Sequence, residues 1–267
     1  MHTHQPLQIV VDFVGWEPPR NTPWNHNKGI KYLLKTCGDT IWQHCPMTVL
    51  DPIVVYRRKD HPQADDDRDC RGRIRVGLEA SGTYWAQFAF QFAHEFCHLL
   101  AKQSNNPALL WSDREHCNFW LEESICEVAS YFGLRALAVS WKSPAEWPFE
   151  SECFGKYSSN RMTETARQLP QAKSFEQWFK EEEPFLQKHP VHGKREKNCI
   201  VASQLLPLFE TNPCGWEALC FLNTGERILQ KPLNIHLAEW QSNSPAHLRD
   251  FIKEVAAVFS ISLGNKE

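Results

Sequence analysis

Hydrophobic and polar residues follow a strand-like period in several short segments of the N-terminal half of this 267-residue chain. Short β-branched runs predict strands over Leu7–Val14, Ile53–Tyr56 and Arg73–Ala80. The first strand should end at the Pro-rich turn Glu17–Pro19. Lys28–Gln43 instead has apolar side chains at helical spacing. In the third strand, apolar residues alternate with charged or small ones, which predicts one buried face and one open face.

The segment 85–102 predicts a helix with two chemically different faces. At about 100° per residue, its aromatic and aliphatic side chains fall in one broad arc. His94, Glu95 and His98 fall outside that arc, beside polar neighbours. Histidines that pack as core residues should lie within the apolar arc, so their placement favours a chemical role. The alternative is a pair of exposed histidines on an ordinary polar helix face.

His94-Glu95-Phe96-Cys97-His98 has the spacing H-E-x-x-H. Residues four apart on a helix lie on the same side, one turn apart, so both imidazoles can bind one metal ion. Zinc accepts such a pair, and the Glu95 carboxylate can reach a zinc-bound water without becoming a ligand itself. The motif therefore predicts two zinc ligands, His94 and His98, and a general base, Glu95.

A catalytic zinc needs a third protein ligand, and a second predicted helix, Trp120–Phe132, carries carboxylates. Its apolar residues share one face, whereas Glu123, Glu127 and Ser130 lie on roughly the opposite side. Two carboxylates four residues apart repel each other on an isolated helix, and a nearby cation would relieve that repulsion. The alternative is a solvated helix face, which is the usual place of glutamates.

The motif and the downstream Glu-x-x-x-Glu pattern resemble the gluzincins, the thermolysin-like zinc metallopeptidases with two His and one Glu as ligands. Trp120–Ser124 is similar to the W-L-N-E-G segment of their aminopeptidase branch, with Glu122 at the position of Asn. Phe92–Leu100 also resembles the active-site helix of the small ImmA/IrrE-like peptidases. The metzincin continuation, with Gly and a third His, is absent after His98, and the flanking motifs of the deformylases are absent too.

The resemblance, which covers about residues 50–135, implies an α+β fold with a zincin-like core. This core would contain a small mixed sheet, the active-site helix and the glutamate helix. The resemblance places Glu123 as the third zinc ligand and Glu127 as a carboxylate that accepts a hydrogen bond from a ligand histidine. In zincins the edge strand before the active-site helix binds an extended peptide, and Arg73–Ala80 is the strand placed to do so.

The same resemblance implies how a peptide would be hydrolysed. Zinc held by the two histidines and Glu123 would lower the pKa of its water, and Glu95 would take the proton as that water attacks the carbonyl. A further donor should stabilise the oxyanion. Tyr157 is the first candidate for this donor, followed by His189 and His192.

The composition of the chain changes after about residue 140. Trp141–Pro148 is rich in Trp, Ser and Pro and predicts a loop or boundary. Helical segments separated by prolines are predicted beyond it, at 160–169, 174–188, 195–210, 214–223 and 245–261. We therefore predict a zincin-like catalytic core over residues 1–140. A mostly helical subdomain over residues 141–267 should close the active-site cleft.

The net charge of −3 argues against a general nucleic-acid binder. Arg57–Lys59 is followed by Asp65–Asp67, so the local charges cancel, and this segment predicts an exposed loop. His189–Arg195 predicts another loop. No apolar stretch approaches the length of a membrane span. The expected partner is a protein or peptide substrate, and no membrane partner is expected. Whether a regulatory protein also binds stays open.

The chain has ten cysteines but no C-x-x-C, and no secretion signal is recognisable at its N-terminus. These features predict a reduced, cytoplasmic protein. Cys97 and Cys126 lie within the two motif helices, where we expect them to act as small hydrophobic residues. Cys70 or Cys117 with His116 could bind a second metal ion, although their spacing does not require it.

Three functional hypotheses follow. The first is a zinc metallopeptidase that hydrolyses a peptide or protein amide bond with Glu95 as general base. The second is a zincin scaffold that holds Zn²⁺ for binding or sensing and has little or no peptidase activity. In the third, the histidines are bystanders, which a structure with their side chains turned away from each other would establish.

Overall fold

The computed structural model describes residues 5–16, 26–46, 48–102, 116–142, 151–169, 173–191, 195–226 and 228–264. The predicted turn Glu17–Pro19, most of the boundary Trp141–Pro148, and His192 lie outside these residues. The fold is α+β, as predicted, and the described residues form a four-stranded mixed sheet and a larger helical part. The strands are β1 (Ile9–Val11), β2 (Ile53–Arg57), β3 (Gln63–Arg68) and β4 (Ile74–Leu78).

The described part of the chain contains nine α-helices. They are α1 (His26–Trp42), α2 (Trp85–Ala101), α3 (Phe119–Ser140), α4 (Glu152–Ala166), α5 (Phe175–Lys188), α6 (Arg195–Thr211), α7 (Gly215–Ala218), α8 (Leu233–Asn243) and α9 (Arg249–Val258). Short 3₁₀ turns follow α7 at Leu219–Phe221 and precede α9 at Ala246–Leu248. Beyond residue 150, the described helix α8 was not predicted, and α4 begins at Glu152, eight residues before the predicted segment 160–169.

The sheet has the strand order β1-β2-β4-β3. Strands β1, β2 and β4 are parallel, and β3 pairs with β4 in the antiparallel direction. The prediction that Arg73–Ala80 forms the edge strand is therefore wrong, because β4 lies inside the sheet. Its residues Val76, Gly77 and Leu78 are buried. The edge next to β4 is β3.

The exposed loop predicted around Asp65–Asp67 is also wrong, because these residues belong to β3. Aspartate is unfavourable in strands, but here basic and phenolic groups from other segments of the same chain stabilise it. The carboxylate of Asp65 accepts hydrogen bonds from Tyr56 Oη at 2.8 Å, Arg75 Nε at 3.0 Å and Arg58 Nη1 at 3.2 Å. These contacts attach the acidic edge strand to the sheet.

The described chain forms two compact units. The first contains residues 1–99 and 129–160. Small residues allow its helices to approach closely: a Cβ on Gly133 would lie 3.2 Å from Cys37 Sγ and 3.4 Å from Ala93 Cβ. The middle of α3 is also bound to α2, because Ser130 Oγ donates to the carbonyl of Phe90 at 2.9 Å. These contacts fix the position of α2 against α3.

The second unit contains residues 100–128 and 161–267 and is helical in its described part. Aromatic rings fill its interior, with Phe209, Trp216 and Phe251 as one buried cluster. The predicted capping start of α5 is confirmed. Ser174 Oγ accepts from Gln177 N at 3.2 Å, and the Gln177 side chain accepts from Ser174 N at 3.3 Å. The assignment of residues 1–140 to a catalytic core and of residues 141–267 to a subdomain that closes the cleft stays a prediction.

Candidate metal centre

Helix α2 places the two motif histidines side by side. The ring centroids of His94 and His98 are 5.1 Å apart, and the rings meet edge to face. Helical spacing predicted this arrangement. The two side chains therefore do not turn away from each other, and the hypothesis that they are bystanders stays a hypothesis. His98 is buried and His94 is half-buried.

The apolar and the polar side of α2 both contact other parts of the protein. Phe88, Phe92 and Phe96 on its apolar side are completely buried. The polar side, however, is not a solvated face, because Gln91 is 7% exposed and fastens the end of β4. Its Oε1 accepts the backbone N–H groups of Glu79 and Ala80 at 2.9 and 2.8 Å. Both sides of α2 are therefore packed.

Glu95, the predicted general base, is only 4% exposed. Its Oε2 accepts the backbone N–H of Ala64 on β3 at 2.7 Å. A hydrogen bond from an amide to a carboxylate is charge-assisted and therefore stronger than one between neutral groups. The Glu95 carboxylate is thus bound by the edge strand. No sequence signal could reveal Ala64, because it acts through its backbone.

The glutamates of α3 lie in different environments. Glu122 is 3% exposed and accepts from Asn223 Nδ2 at 2.6 Å. Glu127 is 1% exposed and accepts from Arg195 Nε at 2.5 Å. Glu123 is half-buried. The alternative of a solvated helix face is therefore wrong for Glu122 and Glu127.

Cys126 is the unexpected residue of this helix. Among the residues that the structure describes, the nitrogen atoms of His94 and His98 and the sulfur of Cys126 form a group within 4.8 Å of one another that could hold a metal ion. Two imidazoles and a thiol are donors that zinc accepts, so the residues present fit this ion. The Glu123 carboxylate does not belong to the group, and its role as ligand stays a prediction. The sequence signal that could have identified Cys126 as a possible ligand was its position in the same predicted helix as Glu123 and Glu127.

The three candidate oxyanion donors have different surroundings. Tyr157 on α4 packs edge to face against Phe90, at 5.7 Å between ring centroids, and Phe90 lies one turn before His94 on α2. His189 follows α5, with its ring 4.7 Å from that of Phe185. His192 lies outside the described residues. The role of each as a donor stays a prediction.

The second possible metal site considered from the sequence is not assembled among the described residues. Cys70 is exposed, whereas Cys117 is buried and its Sγ donates to the carbonyl of Lys231 at 3.1 Å. Burial raises the pKa of the Cys117 thiol, which disfavours the thiolate that a metal ion requires. His116 instead packs against His236, with ring centroids 5.6 Å apart.

His236 should make the stability of the helical unit depend on pH. Burial, followed by the charges of His116 and Lys231, lowers its pKa from 6.5 to about 3. Below pH 6.5, the imidazole of His236 therefore takes up a proton in the unfolded chain but stays neutral in the folded chain until the pH approaches 3. Stability contributed by this group is present above pH 6.5 and decreases as the pH falls, by at most about 1.4 kcal/mol per pH unit.

Urea unfolding at several pH values between 7 and 4.5 measures this effect. His236→Gln should flatten the decrease in the free energy of unfolding relative to the wild-type protein. His61→Gln is the matched control, because the side chain of His61 is 62% exposed. Equal pH dependence in the wild type and in His236→Gln would contradict the prediction.

Comparison of the chain with protein-family models, curated proteins and solved structures finds no match. No helix in the described part of the chain is both long enough and apolar enough to cross a membrane. The function of the site must therefore be argued from its own residues.

Proposed function

We propose that the protein is a zinc-dependent metallopeptidase that hydrolyses an amide bond of a peptide or protein. One observation carries the proposal: the rings of His94 and His98 lie 5.1 Å apart, and Glu95 lies buried on the same turn of α2. Two imidazoles and an adjacent carboxylate are the groups that zinc-assisted hydrolysis requires. The core is accordingly proposed to be zincin-like.

Zinc, when bound, supplies a Lewis acid for the peptide carbonyl and an acidified water. Glu95 acts as general base, taking a proton on its carboxylate and passing it to the leaving amine. Its burial favours this role because electrostatic interactions are stronger where water is excluded. Tyr157 is the first candidate for the oxyanion donor, supported by its packing against Phe90 on α2.

Glu127 is proposed to orient a ligand histidine through a hydrogen bond. The resemblance supports this role, because it places Glu127 at the position of that carboxylate; with 1% exposure, the carboxylate also needs a pairing cation. Arg195 provides the pairing cation, with Nε 2.5 Å from Glu127 Oε1. Arg195 is the first residue of α6, where the predicted loop His189–Arg195 meets the predicted helix 195–210.

The third ligand is proposed to come from α3. Glu123 is our first choice, because the resemblance assigns the ligand position to it. The same resemblance gives Glu127 a different role, and Glu127 is buried and already paired with Arg195. Cys126 is the competing donor, supported by its place in the group with the two histidines. Residues three apart lie on the same side of a helix, so either could serve.

The substrate is proposed to bind along β3, the sheet edge, as an added strand. The segment 141–267 is proposed to cover the cleft. We also propose a cytoplasmic location, supported by the ten cysteines, which are all free thiols in the structure.

Metal removal tests the proposed function. The purified protein should contain about one zinc per chain, and it should cleave members of a fluorogenic peptide library. Chelation should abolish this turnover, and added Zn²⁺ should restore it. Absence of zinc, or turnover that survives complete metal removal, would refute the proposal.

The position of Cys126 favours a second candidate, a scaffold that binds zinc for sensing or stability. Thiolates are common ligands of structural zinc sites. This candidate predicts a zinc-loaded protein that cleaves no peptide of the library and forms a stable complex with another protein. Peptide turnover that is lost with zinc would exclude it.

A further inference from the structure

The edge strand β3 contacts the carboxylate of Glu95 directly. Ala64 is 2% exposed and Glu95 is 4% exposed, so their hydrogen bond is shielded from water. The distance from Ala64 N to Glu95 Oε2 is 2.7 Å. A short, charge-assisted hydrogen bond in such surroundings restricts the orientation of the carboxylate.

The residue after Ala64 holds this part of β3 in place. The carboxylate of Asp65 is bound by Tyr56 at 2.8 Å, by Arg75 at 3.0 Å and by Arg58 at 3.2 Å. Arg75 also lies over the ring of Tyr56, 4.6 Å from its centroid. Tyr56 belongs to β2 and Arg75 to β4, so the sheet itself fixes the position of the Ala64 amide.

We propose that Ala64 is a positioning residue for the general base. Its backbone N–H binds Oε2 of Glu95 and so leaves Oε1 as the oxygen that accepts the proton. A carboxylate with both oxygens free would rotate and present a productive oxygen for only part of the time. The strand at the sheet edge would thus orient the base as well as accept the peptide. This inference rests on the proposed peptidase function.

A purely structural role is the competing explanation for the same hydrogen bond. If the bond only attached β3 to α2, its loss would reduce stability and leave the rate constant of the folded enzyme unchanged. If it orients Glu95, its loss lowers kcat, while KM and zinc content stay constant. Misplacement of a reacting group by about 1 Å can reduce a rate on the order of 100-fold.

An amide-to-ester replacement at Ala64, made with lactic acid, removes the N–H and keeps the side chain. The matched control is the same replacement at Ile53, whose N–H donates to the carbonyl of Gln8 at 2.9 Å in the same sheet. We expect kcat of the zinc-loaded Ala64 ester to fall about 10- to 100-fold, with KM nearly unchanged. The Ile53 ester should lose stability but keep kcat.

Hydrogen exchange of the Ala64 amide gives a readout that does not depend on activity. In Glu95→Ala the amide should exchange at least about tenfold faster than in the wild type, whereas Glu164→Ala should leave it unchanged. Unchanged exchange in Glu95→Ala, or an unchanged kcat in the Ala64 ester of an active enzyme, overturns the inference and spares the proposed function. A zinc-loaded wild type that cleaves no peptide overturns both.

Discussion

Replacing Glu95 with Gln should reduce peptide hydrolysis about 10²- to 10⁴-fold while zinc stays bound. The amide of Gln has nearly the shape of the carboxylate but cannot accept the proton. Its carbonyl oxygen can still accept the Ala64 N–H that Glu95 Oε2 binds at 2.7 Å. The fold and the two histidines should therefore be preserved. Steady-state kinetics on the best library peptide, with metal analysis of the same sample, measure both quantities.

Glu164→Gln is the matched control for this substitution, because it removes the same charge from a side chain that is 63% exposed on α4. It should leave kcat and KM unchanged. Equal turnover by Glu95→Gln and the wild-type enzyme would rule out Glu95 as the general base. Loss of zinc from Glu95→Gln would instead assign Glu95 a role in binding the metal.

Local periodicity predicted the elements that carry this chemistry. The segment of α2 repeats apolar residues every three or four positions, and a helix of this kind places His94 and His98 together whatever surrounds it. The capping start at Ser174 is local in the same way, since its partners are three residues apart. Such features depend on residues three or four positions apart in the sequence, so sequence analysis can detect them.

The strand β3 could not be predicted in this way. Its acidic residues have a low preference for strands, and what stabilises Asp65 comes from Tyr56, Arg58 and Arg75. These partners lie seven to ten residues from Asp65 and outside β3, so the local pattern of the strand does not reveal them. The edge of the sheet was therefore assigned to the wrong strand, although all strands predicted from alternation exist.

The polar faces of the two motif helices show a second limit. Periodicity separates polar from apolar residues, but it does not tell whether the polar side meets water. Gln91 lies on the polar side of α2 and Glu127 on that of α3, yet they are only 7% and 1% exposed. Each has a partner from another part of the chain, namely the end of β4 for Gln91 and Arg195 for Glu127. Buried polar groups need such partners.

Glu123→Gln should weaken zinc binding by at least about 100-fold, because it removes the carboxylate that we propose as third ligand. Cys126→Ser should leave zinc affinity nearly unchanged, since the thiol would then pack as a small hydrophobic residue. Competition with a chelator of known affinity measures both variants. Glu152→Gln and Cys97→Ser are the controls for loss of a carboxylate and of a buried thiol.

The reverse result would identify Cys126 as the ligand. Zinc affinity would then fall in Cys126→Ser and persist in Glu123→Gln, and the cobalt-substituted wild type would show a sulfur-to-cobalt charge-transfer band in the near ultraviolet. A thiolate ligand oxidises more easily than a carboxylate, so zinc in that site would be released by peroxide. A carboxylate site would keep its zinc under the same treatment. The third ligand thus decides whether oxidation can inactivate this metal centre.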